Sequence, residues 1–168
     1  LATRKPTAAV VHVGPGAANM ILGMASAYRE NVPVVAITGN EPSYNLGRNV
    51  KHEWDVLQGF ERITKYNVRM GRENTHDQIR DAVTQSVTGI PGPVHIDVPH
   101  NLENETFPDL DENLRKKTRS HEYIASMNRC RPSPEKLDQV IELLSKAKRP
   151  LIIAGSETRW FDSSNELK

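Results

Sequence analysis

Two short stretches hold the groups best suited to chemistry. In Gly14-Pro15-Gly16-Ala17-Ala18-Asn19, the glycines let a ligand approach the main chain closely, and a helix beginning there would point its unpaired first-turn amides outward as donors. The same residues suit any strand that must turn sharply into a helix, so the turn by itself fits a structural role equally well. Its spacing comes near the dinucleotide fingerprint GxGxxG, with Asn19 where the third glycine belongs and Glu41 as an acid able to bind a ribose. A Rossmann-type dinucleotide-binding module is therefore one reading. In Lys51-His52-Glu53-Trp54-Asp55, His52 carries an imidazole that titrates near neutrality and can give or take a proton. Most histidines in polar loops are simply solvated, and Glu53 can be explained as a cap or as a partner of Lys51.

Those residues need elements to hold them. The β-branched run over residues 10–13 stops at Gly14, and residues 17–29 place Ile21, Ala25 and Tyr28 at helical spacing, which predicts strand, tight turn and helix. Residues 32–38 show almost no polar alternation, as in a strand covered on both faces, and Gly39 ends it. Thr75 and Gln78 offer a capping box to a helix with Ile79, Ala82, Val83, Ser86 and Val87 on one face, stopped by Gly89 and Pro91. Residues 94–98 read as another buried strand, and residues 63–70 alternate like one. Between these elements, residues 40–60 form a long polar connection of the kind that often carries function. After Pro99 the periodicity is lost over residues 100–132, a linker; Ser133 then caps a helix with Pro134 first and Leu137, Val140, Ile141 and Leu144 as its stripe, followed by a buried strand at 151–154. The expectation is an α/β fold, a parallel sheet with helices on both faces, over residues 1–99, and the start of a second α/β domain over residues 133–168.

Composition narrows the function classes. Twenty-two basic residues against 21 acidic ones give a net charge of +1, with no basic block that could supply the phosphate contacts of a nucleic-acid binder. The single cysteine, Cys130, has no partner for an internal disulfide or a CxxC metal site, which points to a cytoplasmic protein without a structural metal. The apolar runs are of strand length, so a membrane-spanning role is not expected. A chain opening on Leu1 and running directly into a strand is expected to lack the beginning of its domain.

In chain order, residues 14–28 (GPGAANMILGMASAY), 31–39 (NVPVVAITG), 63–67 (ITKYN) and 92–99 (GPVHIDVP) resemble the N-terminal domain of acetolactate synthases and related thiamine-diphosphate-dependent enzymes. Residues 148–155 (KRPLIIAG) are similar to the start of the central domain of that family. Four ordered blocks over some ninety residues are far more specific than a six-residue pattern.

The resemblance implies a thiamine-diphosphate-binding fold, incomplete here, that holds the aminopyrimidine of the cofactor at the interface of a homodimer or homotetramer. It implies that Gly14, Pro15, Gly16 and Asn19 line the pyrimidine pocket, with Asn19 otherwise explained as a helix residue bonding its own backbone. It aligns His52 with a segment close to the reacting carbon of a 2-keto acid substrate, as a proton donor. The histidine there leaves carboligation, decarboxylation and transfer to another acceptor all open. In relatives the glutamate that activates the cofactor lies upstream of the Gly-Pro-Gly block, and Mg2+ is held by a GDG…NN motif in another domain; neither is matched here, so the chain alone is expected to be inactive. A flavin is a further candidate cofactor, and a remnant that only associates with a full-length partner is a further reading. Lys65 is best explained as reaching from a strand edge, Asp97 as structural, bonding the start of the linker, and Trp54, Phe60 and Tyr66 as core or interface aromatics.

Overall fold

The computed structural model describes residues 5–106, 132–160, 163 and 165–167. Four parallel strands, β1 (Thr7–Val11), β2 (Val34–Asn40), β3 (Asn67–Arg69) and β4 (Val94–Pro99), form one sheet in the order β1-β2-β4-β3. Helix α1 (Pro15–Arg29) joins β1 to β2, a short α2 (Val56–Phe60) precedes β3, and α3 (Thr75–Val87) leads into β4. Helices lie on both faces, as expected of a parallel sheet whose strands must be covered on each side.

Alternation along the strands sorts the side chains. On one face, Val35, Val94 and Ile96 pack with Ala82 of α3. On the other, Ala36 packs with Ala17 and Met24 of α1 and with Val56 and Phe60 of α2. Phe60, Ala36, Ala82 and Val94 are fully buried, so the predicted core role of Phe60 holds, and Trp54 and Tyr66 pack at the edges of the two clusters.

Several boundaries differ from the sequence reading. The strand-like alternation at 63–70 yields only β3, because Glu61–Ile63 is a turn of 3-10 helix continuing α2. The capping box does not form. Thr75 is the first residue of α3 and donates its hydroxyl back to Gly71 O at 2.9 Å, while Gln78 accepts from Gly71 N at 2.8 Å, so both side chains tie down the turn before the helix. Of the predicted linker, a short α4 (His100–Glu103) follows β4 directly; Cys130 and residues 107–131 fall outside the described residues.

Ser133 caps α5 (Pro134–Lys146), accepting from Lys136 N at 3.4 Å, with Pro134 at the first position. The predicted strand at 151–154 is not one. It has no hydrogen-bonded neighbour strand among the described residues, and Leu151 and Ile153 are 84% and 89% exposed; a strand exists only through its ladder. A short α6 (Glu157–Trp160) follows.

Candidate functional site

The carboxyl ends of β1, β2 and β4 open on a cleft of about 230 Å³ lined by His12, Val13, Gly39, Asn40, Glu41, Pro42, His52, His100 and Glu103. This is where open parallel sheets bind ligands, because the helix amino ends and the connecting loops converge there. His100 and Glu103 face each other across one turn of α4, Nδ1 to Oε2 at 2.8 Å. The remaining wall comes from the long connection after β2.

That connection is folded back onto the Gly-Pro-Gly turn. Gly14 has φ +66°, a left-handed conformation that glycine adopts without strain. A Cβ there would stand 2.8 Å from both the Cβ and the carbonyl oxygen of His52. His52 itself has φ +68°, an uncommon backbone for a residue with a side chain. The loop thus docks its histidine backbone in the space that the missing Gly14 side chain leaves. The two sequence stretches picked out for their chemistry are in contact, through Gly14 and His52, 38 residues apart in the chain.

The other predicted site residues are placed less centrally. Gly14 is buried beneath His52, Gly16 is half-buried, and Pro15 and Asn19 are exposed on the outer side of the first turns of α1. None of these four lines the cleft, whose nearest walls are Val13 and His52. Glu41, the ribose-binding candidate, does line it. Glu53 pairs with backbone rather than with Lys51. Its carboxylate accepts from Gly47 N and from Val50 N, the latter at 3.1 Å, and the Gly47 amide holds the carboxyl below its usual range. Lys65 sits just before β3, at the opposite end of the strands from the cleft. It donates to Gln85 O at 2.6 Å and Thr88 O at 2.7 Å, capping the carbonyl end of α3.

Sequence reading missed the polar side chains beneath the site. On the α1/α2 face, β2 presents Thr38 and Asn40, β4 presents His95 and Asp97, and β3 presents Asn67 and Arg69, matched by the register Thr38↔Asp97 and Asn67↔His95. Asp97 was expected to bond the start of the linker. It bonds instead across the sheet: Oδ2 accepts from Asn40 Nδ2 at 2.9 Å and from Arg69 Nε at 2.6 Å, and Oδ1 lies 3.2 Å from Thr38 Oγ1. These partners hold because all four residues sit on one pleat of adjacent strands. The signal available in the sequence was the polar alternate positions within otherwise apolar strands.

His95 is fully buried and stacks on Phe60 with ring centroids 4.1 Å apart. Burial pushes its imidazole down to about 4, a shift that the Asp97 carboxylate opposes and the Arg69 guanidinium reinforces. The ring is therefore neutral near pH 7 and carries one N–H. Asn67 gives its amino group to Leu57 O, so its Oδ1 faces His95 Nδ1 at 2.7 Å and accepts the ring proton. That leaves Nε2 to accept from the Thr38 hydroxyl at 2.8 Å. Thr38 has a single hydroxyl proton and two acceptors within reach, His95 Nε2 at 2.8 Å and Asp97 Oδ1 at 3.2 Å.

Residues 1–58 match the family model described as thiamine pyrophosphate enzyme, N-terminal TPP binding domain. The chain is 32% identical to acetolactate synthase 2, chloroplastic, of Nicotiana tabacum, over 99% of this chain and 24% of that protein. It is 32% identical to acetolactate synthase, chloroplastic, of Arabidopsis thaliana, over 97% of this chain and 24% of that protein. It is 33% identical to the probable acetolactate synthase large subunit of Methanocaldococcus jannaschii, over 92% of this chain and 26% of that protein. The chain spans about a quarter of the length of these relatives. No helix among the described residues is long and apolar enough to cross a membrane.

Proposed function

The chain carries an acetolactate synthase-like N-terminal domain of the thiamine-diphosphate-dependent enzymes, and from this we propose that it forms the pyrimidine-binding part of an enzyme that joins or decarboxylates 2-keto acids. The observation that carries the proposal is the docking of the His52 loop on Gly14, which brings a protonatable side chain to the turn that the family match covers. The dinucleotide reading of that turn gives way to the family match.

The residues fit an aminopyrimidine. Pro15, Gly16 and Asn19 stand open on the outer side of the turn, where a neighbouring subunit would complete the pocket. Asn19 would place its amide beside the ring, and Gly16 would let the ring approach the main chain. His52, exposed at the rim of the cleft, would hold or deliver a proton to the reacting carbon. When bound, the cofactor supplies a thiazolium ring that accepts the electron pair released as carbon dioxide leaves a 2-keto acid.

For the whole enzyme we extend the proposal to Mg2+ at the diphosphate, held by another domain, to a flavin as a second cofactor, and to a homo-oligomer with the site at its subunit interface. A cytoplasmic, reducing location rests on the single cysteine. Within the chain we take residues 1–99 as the pyrimidine-binding domain and 133–168 as the start of the central one. The test is a titration of the chain with thiamine diphosphate, followed by amide NMR. Shifts concentrated at Gly14, Gly16, Asn19 and His52, with none on adding NAD, are the expected result; shifts with NAD alone would sink the proposal.

A further inference from the structure

We propose that Asp97 is a positioning residue: one buried carboxylate on the central strand β4 fixes the start of the loop that carries His52. The loop leaves the sheet at Asn40, which is 4% exposed and has both ends of its amide committed. Nδ2 donates to Asp97 Oδ2, and Oδ1 accepts from Glu41 N at 2.8 Å. The backbone of the first loop residue is thereby tied, through one side chain, to a carboxylate on the neighbouring strand.

The same Asp97 oxygen also accepts from Arg69. Arg69, the last residue of β3, forms part of the wall of a second cavity, lined otherwise by Leu46, Gly47, Asn49, Glu53, Trp54 and Asp55 of the loop. Asp97 therefore contacts the loop's departure point directly, and through Arg69 it sets the wall against which the middle of the loop lies. The far end of the loop is fixed separately, by Asp55 accepting from Gln58 N at 3.1 Å at the start of α2.

Asp97 suits this role because it is anionic and enclosed. It is fully buried, whereas Arg69 is 32% exposed at its side chain. A buried carboxylate must keep its donors, since each one lost leaves charge uncompensated in a medium that screens poorly. An apolar residue at this position would fill the space without specifying where Asn40 and Arg69 go. The consequence for the cleft is that Asn40, Glu41 and His52, three of its walls, take their positions from a group that does not itself line it. That the loop walls a cofactor site rests on the thiamine-diphosphate reading; that Asp97 sets the loop does not.

Two variants test it in the 168-residue chain. Asp97→Asn removes the charge at constant shape, and Asn40→Ala removes the loop anchor while keeping the Arg69–Asp97 pair, so a folding failure of the first leaves the second informative. Hydrogen exchange over residues 41–55 should accelerate about tenfold in both, the size expected for one lost buried hydrogen bond. Exchange in α3 should stay unchanged. Loop exchange within about twofold of wild type in Asn40→Ala, the range of a neutral surface change, would overturn the inference. So would acceleration shared equally by α3, which would mark a role in overall stability only. Thiamine diphosphate affinity is read alongside: failure of the wild-type chain to bind it would count against the cofactor proposal, while the exchange result alone decides the role of Asp97.

Discussion

Two faces of one sheet, built from alternate residues of the same strands, differ in kind. Under α3, Val35, Val94, Ile96 and Ala82 meet as an apolar layer. Under α1 and α2, the next residues along, Thr38, Asn40, His95 and Asp97, are buried and polar, with Phe60 stacked on His95. An apolar layer is non-directional and stabilises in proportion to the area removed from water. A buried polar layer adds little net stability, yet each group tolerates only arrangements that satisfy it. Apolar clusters on both faces therefore supply free energy, the polar layer on the second also supplies position, and the loop that reaches the Gly14 turn departs from that layer.

The largest expected effect is on the apolar face. Ile96→Ala should lower the unfolding free energy by about 2–5 kcal/mol, as for other fully buried aliphatic truncations, read as a fall in the urea midpoint at constant slope. Loop and cleft geometry should survive in the folded fraction. A loss below about 1 kcal/mol, the typical figure for any point change, would break the division of labour between the faces.

Next comes acid sensitivity, which belongs to the polar face. The His95 imidazole titrates at about 4 in the folded chain against about 6.5 when unfolded. Because the folded value is depressed, the contribution is full above pH 6.5 and is lost as pH falls through about 4, since the unfolded chain binds the proton first. The loss amounts to roughly 3 kcal/mol. His95→Leu should flatten the stability profile between those values while costing about 1 kcal/mol at pH 7, because Thr38 can turn its hydroxyl to Asp97. Equal slopes for the two proteins across that window would show that carboxylates elsewhere dominate it.

How much of this could be read beforehand depended on the kind of signal. The parallel sheet and its helices were legible because Val34–Asn40 and Val94–Pro99 are short β-branched stretches and α1 follows a Gly-Pro-Gly turn. Gly14 and His52 were each legible as residues of interest, but their contact was not, since local pattern says nothing about which loop folds onto which turn. The capping box failed for a related reason: Thr75 and Gln78 had the right spacing, and Gly71 offered them better partners. The Thr38–His95–Asp97 layer was hidden because its order lies across strands, and strand register is set by tertiary packing. The run at 151–154 misled in the other direction: hydrophobicity marks a residue that needs cover, not one that has it.

The smallest effect is the sharpest about position, and it comes from two glycines of the same helix, one at its amino cap and one in its interior. At Gly23, in the interior of α1, an added Cβ would meet nothing within 4 Å. Gly23→Ala should therefore stabilise by about 0.5–1 kcal/mol, through helix propensity and a less free unfolded chain. At Gly14 the same methyl group meets a positive φ and the His52 backbone at 2.8 Å. Gly14→Ala should cost about 2 kcal/mol, the left-handed penalty plus displacement of the loop. Both are read from chemical unfolding, with hydrogen exchange over residues 41–55 beside it. If the polar face sets the loop, Gly14→Ala must push against it, and the cost appears as global destabilisation with loop protection largely retained. If the loop is only lightly held, it lifts away, exchange at 41–55 rises steeply, and the global cost shrinks toward the strain at residue 14 alone.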